Sequence, residues 1–387
     1  MIIDEARSSA PPSSPSSHED GKSSLSRAVV VSGSYGAGHD AAAREIQHRL
    51  TTAGFGVDVL DIAELFPLGI GHALRRAYFT QLKVAPWSWR ALLSSLDAAE
   101  VRRGRLDRSH HPLVGRLPAA RVAAAVQADA RLVVSTHPFA SQALGYLRER
   151  GALDVPTVTY LTDASVHSVW VHRSVDRHLA VHEEAARQAT ALGAADVRVI
   201  APLTPQVALP GGHERLTLRS RLGLGPTEQV ALIASGSEGA GDVRRSALDV
   251  RATGRARPVV LCGRNERLRR VVEREPGVLA LGWLDGLTDT IRGADCLLQN
   301  SGGFTTLEAL ALGTPLISYR PLPGHGEASA QALAKEGLAP WPQTASELGA
   351  AIDQASLRSA SPPRRWERRA SLLDSLPAQP AAQLVGG

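Results

Sequence analysis

Cysteine, methionine and lysine are nearly missing from this chain of 387 residues, which holds two, one and three of them. With only Cys262 and Cys296, each inside an apolar run (VVLCG and ADCLL), a disulfide scaffold or a cysteine-based zinc site is excluded. Uninterrupted apolar runs of the roughly 18 to 20 residues needed to cross a bilayer are also lacking, and Met1 to Asp20 is polar, unlike a signal peptide. The expected location is therefore the cytoplasm. Lysine occurs only at Lys22, Lys83 and Lys335, so the net charge of +5 is carried almost wholly by arginine. That charge admits anionic partners without selecting one. No recognised DNA or RNA motif accompanies it, and the basic residues do not gather into one stripe, so nucleic acid is not expected.

What is present is a globular balance, 43% hydrophobic and 21% charged, over a length that predicts two domains. Residues 1–26 are rich in serine and proline with little to bury, and are expected to be a disordered tail. From Arg27 an apolar strand, a glycine turn and a helix alternate repeatedly: AVVVSG, SYGAGH, FGVDVLD, RLVVSTHP, VPTVTYLTD, RHLAVH, VRVIAP. Proline and glycine interrupt the pattern between Pro202 and Gly212, the predicted linker and hinge. It then resumes through QVALIAS, ARPVVLCG, GVLALGW, ADCLLQN and TPLISY. The reading is α/β with two doubly wound Rossmann-like domains facing across a cleft, 27–204 and 213–355. Residues 356–387 are a final segment in which Pro362–Pro377 is predicted to form one helix packing back on the first domain.

Ligands in such sheets sit beyond the carboxyl ends of the strands. The first loop, Gly33 to His39, runs G-x-x-G-x-G-H and puts His39 on the first turn of a helix at the cleft mouth. A neutral imidazole there, favoured by the helix dipole and solvent, is a general-base candidate; a histidine that merely caps the helix is the equally weighted plain reading. Neither a Walker A loop (Ser16 stands where glycine is required before Gly21-Lys22-Ser23) nor a G-x-S-x-G elbow is present. In the second half, Gly236-Ser237-Glu238-Gly239-Ala240-Gly241 and Asn300-Ser301-Gly302-Gly303-Phe304-Thr305-Thr306-Leu307-Glu308 are two flexible turns at strand ends. Their amides and hydroxyls could hold a diphosphate, with Glu308 accepting the hydroxyls of a ribose; singly, each could be an ordinary tight turn. His178 and His182 stand four apart on a strand-like stretch with no third ligand and are read as structural, and no metal site is expected.

Seven ordered segments, among them SGSYGAGHDAAA, STHPFAS, YLTDASVHSVWVHRSVDRHLAVHEEA, LGWLD, NSGGFTTLEALALGTPLI and PLPGHGEASA, resemble the GT-B glycosyltransferases of the monogalactosyldiacylglycerol synthase and processive diacylglycerol glucosyltransferase family, more distantly the lipid II-forming N-acetylglucosaminyltransferase. The resemblance implies inverting, metal-free transfer from a UDP-sugar, a co-substrate and not a resident cofactor, to a hydroxyl of a lipid such as diacylglycerol. It implies His39 as base and Asp163 as a group orienting the acceptor or that histidine. On the donor side it implies Gly282 and Trp283 at the uracil, Arg264 near the nucleotide or hinge side, Glu308 at the ribose, Gly236, Ser237, Gly302, Gly303, Thr305 and Thr306 around the diphosphate, and Gly38, Ser301 and His325 as further donor-binding residues. Where plant relatives carry Gln-Glu after Pro-Gly, this chain has His325-Gly326 with Glu327 displaced by one, which leaves galactose, glucose and N-acetylglucosamine open.

Residues 71–110 interleave arginines with Tyr78, Phe79, Trp87 and Trp89, as a peripheral contact with an anionic membrane on its inner face would; a solvated helix pair with core aromatics is the plain alternative. Other readings are transfer to a specialised-metabolite acceptor, a UDP-N-acetylglucosamine epimerase-like enzyme, or a binding protein without turnover.

Overall fold

The computed structural model describes residues 26–85, 87–88, 91, 95, 112–126, 129–204, 213–234, 236–284, 286–357, 366 and 368–377. The predicted tail before Ser26, Trp89, Arg90, Arg102, Arg103, Arg105, and hinge residues 205–212 lie outside that set.

The first sheet is parallel, ordered β2-β1-β3-β4-β5-β6, from β1 (Arg27–Ser32), β2 (Gly56–Asp61), β3 (Ala130–Ser135), β4 (Thr157–Leu161), β5 (Arg177–Ala180) and β6 (Val197–Val199). The second is β11-β10-β7-β8-β9, from β7 (Val230–Ala234), β8 (Arg257–Leu261), β9 (Leu279–Leu281), β10 (Cys296–Gln299) and β11 (Leu316–Ser318). Central strands such as AVVV of β1 and VALIA of β7 are apolar at every position because helices cover both faces. Strand order reverses between β1 and β3 in one sheet and between β7 and β10 in the other, and such a switch point leaves a crevice at the carboxyl edge. Val31 pairs with both Leu60 and Ser135, so the loops after β1 and β3 leave the sheet side by side.

The domains meet through apolar packing. Ala42, Ile46 and Leu50 of the helix Ala37–Thr52 share one core cluster with Phe304, Leu307 and Leu310 of the helix Phe304–Ala311. Gly38 makes this contact close: a Cβ there would lie 3.2 Å from Phe304 Cβ, so Phe304 would have to shift slightly to admit one. Cys262 and Cys296 are both buried and free, as their apolar settings predict.

The carboxy-terminal expectation is corrected in part. The segment does return to the first domain: Ala370 forms a parallel bridge with Ile200, Arg177 donates to Ser375 O at 2.8 Å, and Trp366 and Leu372 are buried in the same cluster as Leu203. Its described residues are not one helix, however, but turns and a 3-10 turn at Leu373–Ser375. Ser371 Oγ donates to Asp374 at 2.6 Å and accepts from the Asp374 amide, a local side-chain turn that competes with helical bonding.

Candidate functional site

Both crevices open into the space between the domains, where two cavities lie. The first, of 420 Å³, is walled by the loops after β1, β3 and β4, the helix Ile70–Val84, and two loops of the second domain. It brings together His39, Asp163, Ser301, Gly303, His325 and Tyr78 of the residues predicted from sequence. Leu74, Phe139, Val169 and Trp170 supply much of the remaining wall, and no lysine or arginine is among the described residues that line it.

His39 is the third residue of its helix, and its Nδ1 lies 2.8 Å from the carbonyl oxygen of Thr136 at the end of β3. A carbonyl only accepts, so Nδ1 carries the proton and Nε2 is left as the basic nitrogen. Burial is the main cause that lowers the His39 pKa, more than the hydrogen bond to Thr136 raises it. The neutral form expected from the helix dipole is thus secured chiefly by desolvation. Thr136 Oγ1 also donates to His39 O at 3.1 Å, so the loops after β1 and β3 are tied twice. Gly33 lets them meet, since a Cβ there would sit 2.5 Å from His137 Cγ.

Two more histidines share this wall. Burial, then His39 and His167, push the His137 pKa well below its ordinary value, and burial with His39 brings His325 to about 4. His137 stood in the STHP segment but drew no role from sequence, although its place at the end of β3 beside the switch point was the available signal. Asp163 is raised to about 7 by burial, against hydrogen bonds from Trp170 and Thr162. It does not hold His39, whose orientation comes from the Thr136 carbonyl. Asp163 Oδ1 instead lies 3.8 Å from where a Gly303 Cβ would be, across the interface at the start of the helix Phe304–Ala311.

The donor-side residues divide. Glu308 lines a separate cavity of 340 Å³ with Arg49, Pro202, Thr204, Thr288, Arg369 and Ser371. Burial raises its pKa to about 7. Both guanidinium groups there are already engaged, Arg49 with Glu45 and Thr204 O, Arg369 with Val181 O and Glu183. Glu308 is therefore an unneutralised carboxyl facing a cavity. Among the other diphosphate candidates, Gly302 donates its amide to Gln299 Oε1 at 2.6 Å, Thr306 is buried, and Thr305 is half-buried. Gly236 and Ser237 belong to a turn clamped by Asn265 Nδ2 to Glu238 O and Asn300 Nδ2 to Ala240 O, while Arg264 donates its amide to Ser237 O. The Arg264 guanidinium stacks over the Trp283 ring at 4.2 Å, beside Gly282, away from both cavities. Glu327 is spent on its own helix, accepting the Gly324 amide at 3.0 Å.

In the region proposed to meet a membrane, Tyr78 faces the first cavity and Phe79 packs against it, ring centroids 5.2 Å apart, under the Arg75 guanidinium. Trp87 is 69% exposed, near in sequence to Val84 at 78%. No helix among the described residues is long and apolar enough to cross a membrane, and no cluster of three metal-binding side chains occurs among them.

Comparison with known proteins agrees with this architecture. The family model for monogalactosyldiacylglycerol (MGDG) synthase matches residues 39–201. A processive diacylglycerol beta-glucosyltransferase of Bacillus subtilis (strain 168) is 23% identical over 325 residues, 81% of this chain and 82% of the relative. Its namesake from Bacillus cereus (strain AH187) is 26% identical over 217 residues, covering 54% of this chain and 55% of the relative. Among solved structures, Medicago truncatula UGT71G1 complexed with UDP-glucose superposes with a TM-score of 0.52 at 13% identity, over 87% of this chain and 91% of that one. These matches show the GT-B fold, a similarity to monogalactosyldiacylglycerol synthase over residues 39–201, and a similarity to a processive diacylglycerol beta-glucosyltransferase over most of the chain.

Proposed function

We propose that the protein transfers a hexosyl group from a UDP-sugar to the hydroxyl of an uncharged lipid alcohol such as diacylglycerol, with inversion at the anomeric carbon. The observation that carries this reading is His39: its tautomer is fixed by the Thr136 carbonyl, and it lines a largely apolar cavity into which Ser301 and Gly303 of the second domain also open. In the transfer, His39 Nε2 takes the acceptor O–H proton as the oxygen bonds to the anomeric carbon. The bond from that carbon to the diphosphate breaks, and UDP leaves with the electron pair. Helix-terminal amides near Gly303 would stabilise the departing charge. Glu308, facing the second cavity without a counter-charge, suits the hydroxyls of a ribose.

The acceptor side supports a lipid. Among the described residues lining the first cavity there is no guanidinium or ammonium group, and an acyl chain would find Leu74, Tyr78 and Phe139 there. Exposed Leu68, Val84, Trp87 and Leu113 offer apolar surface for peripheral attachment to a bilayer.

The test is calorimetry with UDP and with UDP-glucose, UDP-galactose and UDP-N-acetylglucosamine, followed by a transfer assay on diacylglycerol vesicles. Micromolar UDP binding and a glycolipid product from one of the three donors are expected. Absence of uridine-nucleotide binding would end this reading.

A further inference from the structure

The helix His325–Lys335 touches the first domain at three levels. At its start, His325 shares the first cavity with His39. In its middle, Ser329 Oγ lies 3.1 Å from Ser165 Oγ, both buried. At its far end, Lys335 Nζ donates to Glu184 Oε2 at 2.8 Å, and the next residue, Glu336, accepts the Glu184 amide N–H at 2.9 Å. Glu184 belongs to the helix Glu183–Ala191 of the first domain, which is preceded by buried His182, whose Nδ1 lies 3.6 Å from Glu336 Oε2.

The same helix is wedged into the donor loops of its own domain. A Cβ on Gly302 would come within 2.4 Å of Ser329 Cβ, and one on Gly326 within 2.5 Å of Asn300 O. It therefore moves with the 300–303 turn as one body. At about 1.5 Å per residue its eleven residues form a lever roughly 16 Å long, with the catalytic cavity at one end and Glu184 at the other.

We propose that Glu184, Lys335 and Glu336 are positioning residues: they latch the second domain onto the first and thereby set His325 and the Ser301–Gly303 turn against His39. An ion pair on an open surface would contribute little. Here the Glu184 side chain is only 10% exposed, and the contact is doubled by a charge-assisted bond from Glu336 to a backbone N–H at the start of the helix Glu183–Ala191. Arg187 first, and then Lys335, hold the Glu184 carboxyl down at about 2, so the latch stays charged at any physiological pH. The catalytic consequence rests on the transfer reading above; the latch itself does not.

The experiment uses the full chain with Glu184→Gln, Lys335→Met, the double variant, and Glu336→Ala as an independent route. Small-angle scattering of the ligand-free proteins reads domain separation, and steady-state kinetics read the donor. Each variant is expected to enlarge the radius of gyration, with saturating UDP restoring it, and to raise the donor KM about fivefold while kcat stays within about twofold. The double variant should be no worse than the worse single, as for two members of one contact. An unchanged radius and KM alongside a lowered melting temperature would reduce the three residues to ordinary structural contacts and overturn the proposal. Should the wild type bind no UDP, the transfer reading falls, while the ligand-free radii still decide the latch.

Discussion

Two cavities open between the same two domains, yet one is neutral and the other charged. In the first, burial moves six titratable groups toward their uncharged forms: His39, His137 and His325 downward, Asp163, Tyr35 and Tyr78 upward. In the second, Arg49, Arg369 and Glu308 stand around polar Thr204, Thr288 and Ser371. The contrast fits the proposed division of tasks. A base that must accept a proton near neutrality, and an acceptor that is mostly hydrocarbon, both benefit from a cavity without fixed charge. The ribose of a nucleotide carries hydroxyls and suits the other wall. The Phe304 contact with Gly38 stands between the two functions, at the start of both helices that carry their key residues.

The sharpest way to break the comparison is His39→Ala. It removes the base whose proton the Thr136 carbonyl fixes on Nδ1 and leaves Glu308 untouched. Turnover should fall roughly 100-fold or more while UDP affinity stays within about twofold. Steady-state kinetics paired with calorimetry read both, and loss of UDP binding instead would mean that the two cavities are one functional unit.

How much of this was legible beforehand differs by residue. The two sheets and their glycine loops could be read because apolar strand runs and glycine turns are local features of the chain. His39 was visible for the same reason, but what holds it was not: a backbone carbonyl such as that of Thr136 has no residue signature. The separation of Glu308 from His39 was equally hidden, since it depends on which faces of the helices Ala37–Thr52 and Phe304–Ala311 meet. The segment 362–377 misled because a proline start is a sound helix signal. The bridge from Ala370 to Ile200 and the Ser371–Asp374 turn are tertiary and side-chain bonds that outweigh it. The displaced Glu327 was noticed in the sequence, but only the structure explains its fate as a cap for Gly324.

The second expected effect concerns the charged cavity. Glu308→Gln should weaken UDP binding about tenfold or more, because an amide oxygen accepts ribose hydroxyls less strongly than a carboxylate. The same change should stabilise the fold at pH 8. The wild-type carboxyl, with a folded value of about 7 against an ordinary 4.5, ionises there at a cost that the glutamine avoids, on the order of 3 kcal/mol. Urea denaturation at pH 8 and calorimetry should thus move in opposite directions. If both fell together, Glu308 would be a packing residue.

The smallest effect tests neutrality inside the first cavity. His325 has its folded pKa lowered to about 4 from 6.5, so between those values the unfolded chain holds the extra proton and stability rises with pH. Asp163 has its pKa raised to about 7 from 3.8, so over nearly the same window the folded chain holds the extra proton and stability falls with pH. In the wild type the two slopes oppose each other. Asp163→Asn leaves the histidine alone, and its stability should climb from pH 4 to 6.5 relative to the wild type. His325→Ala leaves the carboxyl, and its stability should decline over the same range relative to the wild type, each difference being at most about 1.4 kcal/mol per pH unit. Melting curves across that range for the three proteins check this. Parallel profiles would show that the cavity is wet enough to let both groups ionise in place, which would remove the physical distinction between the two cavities.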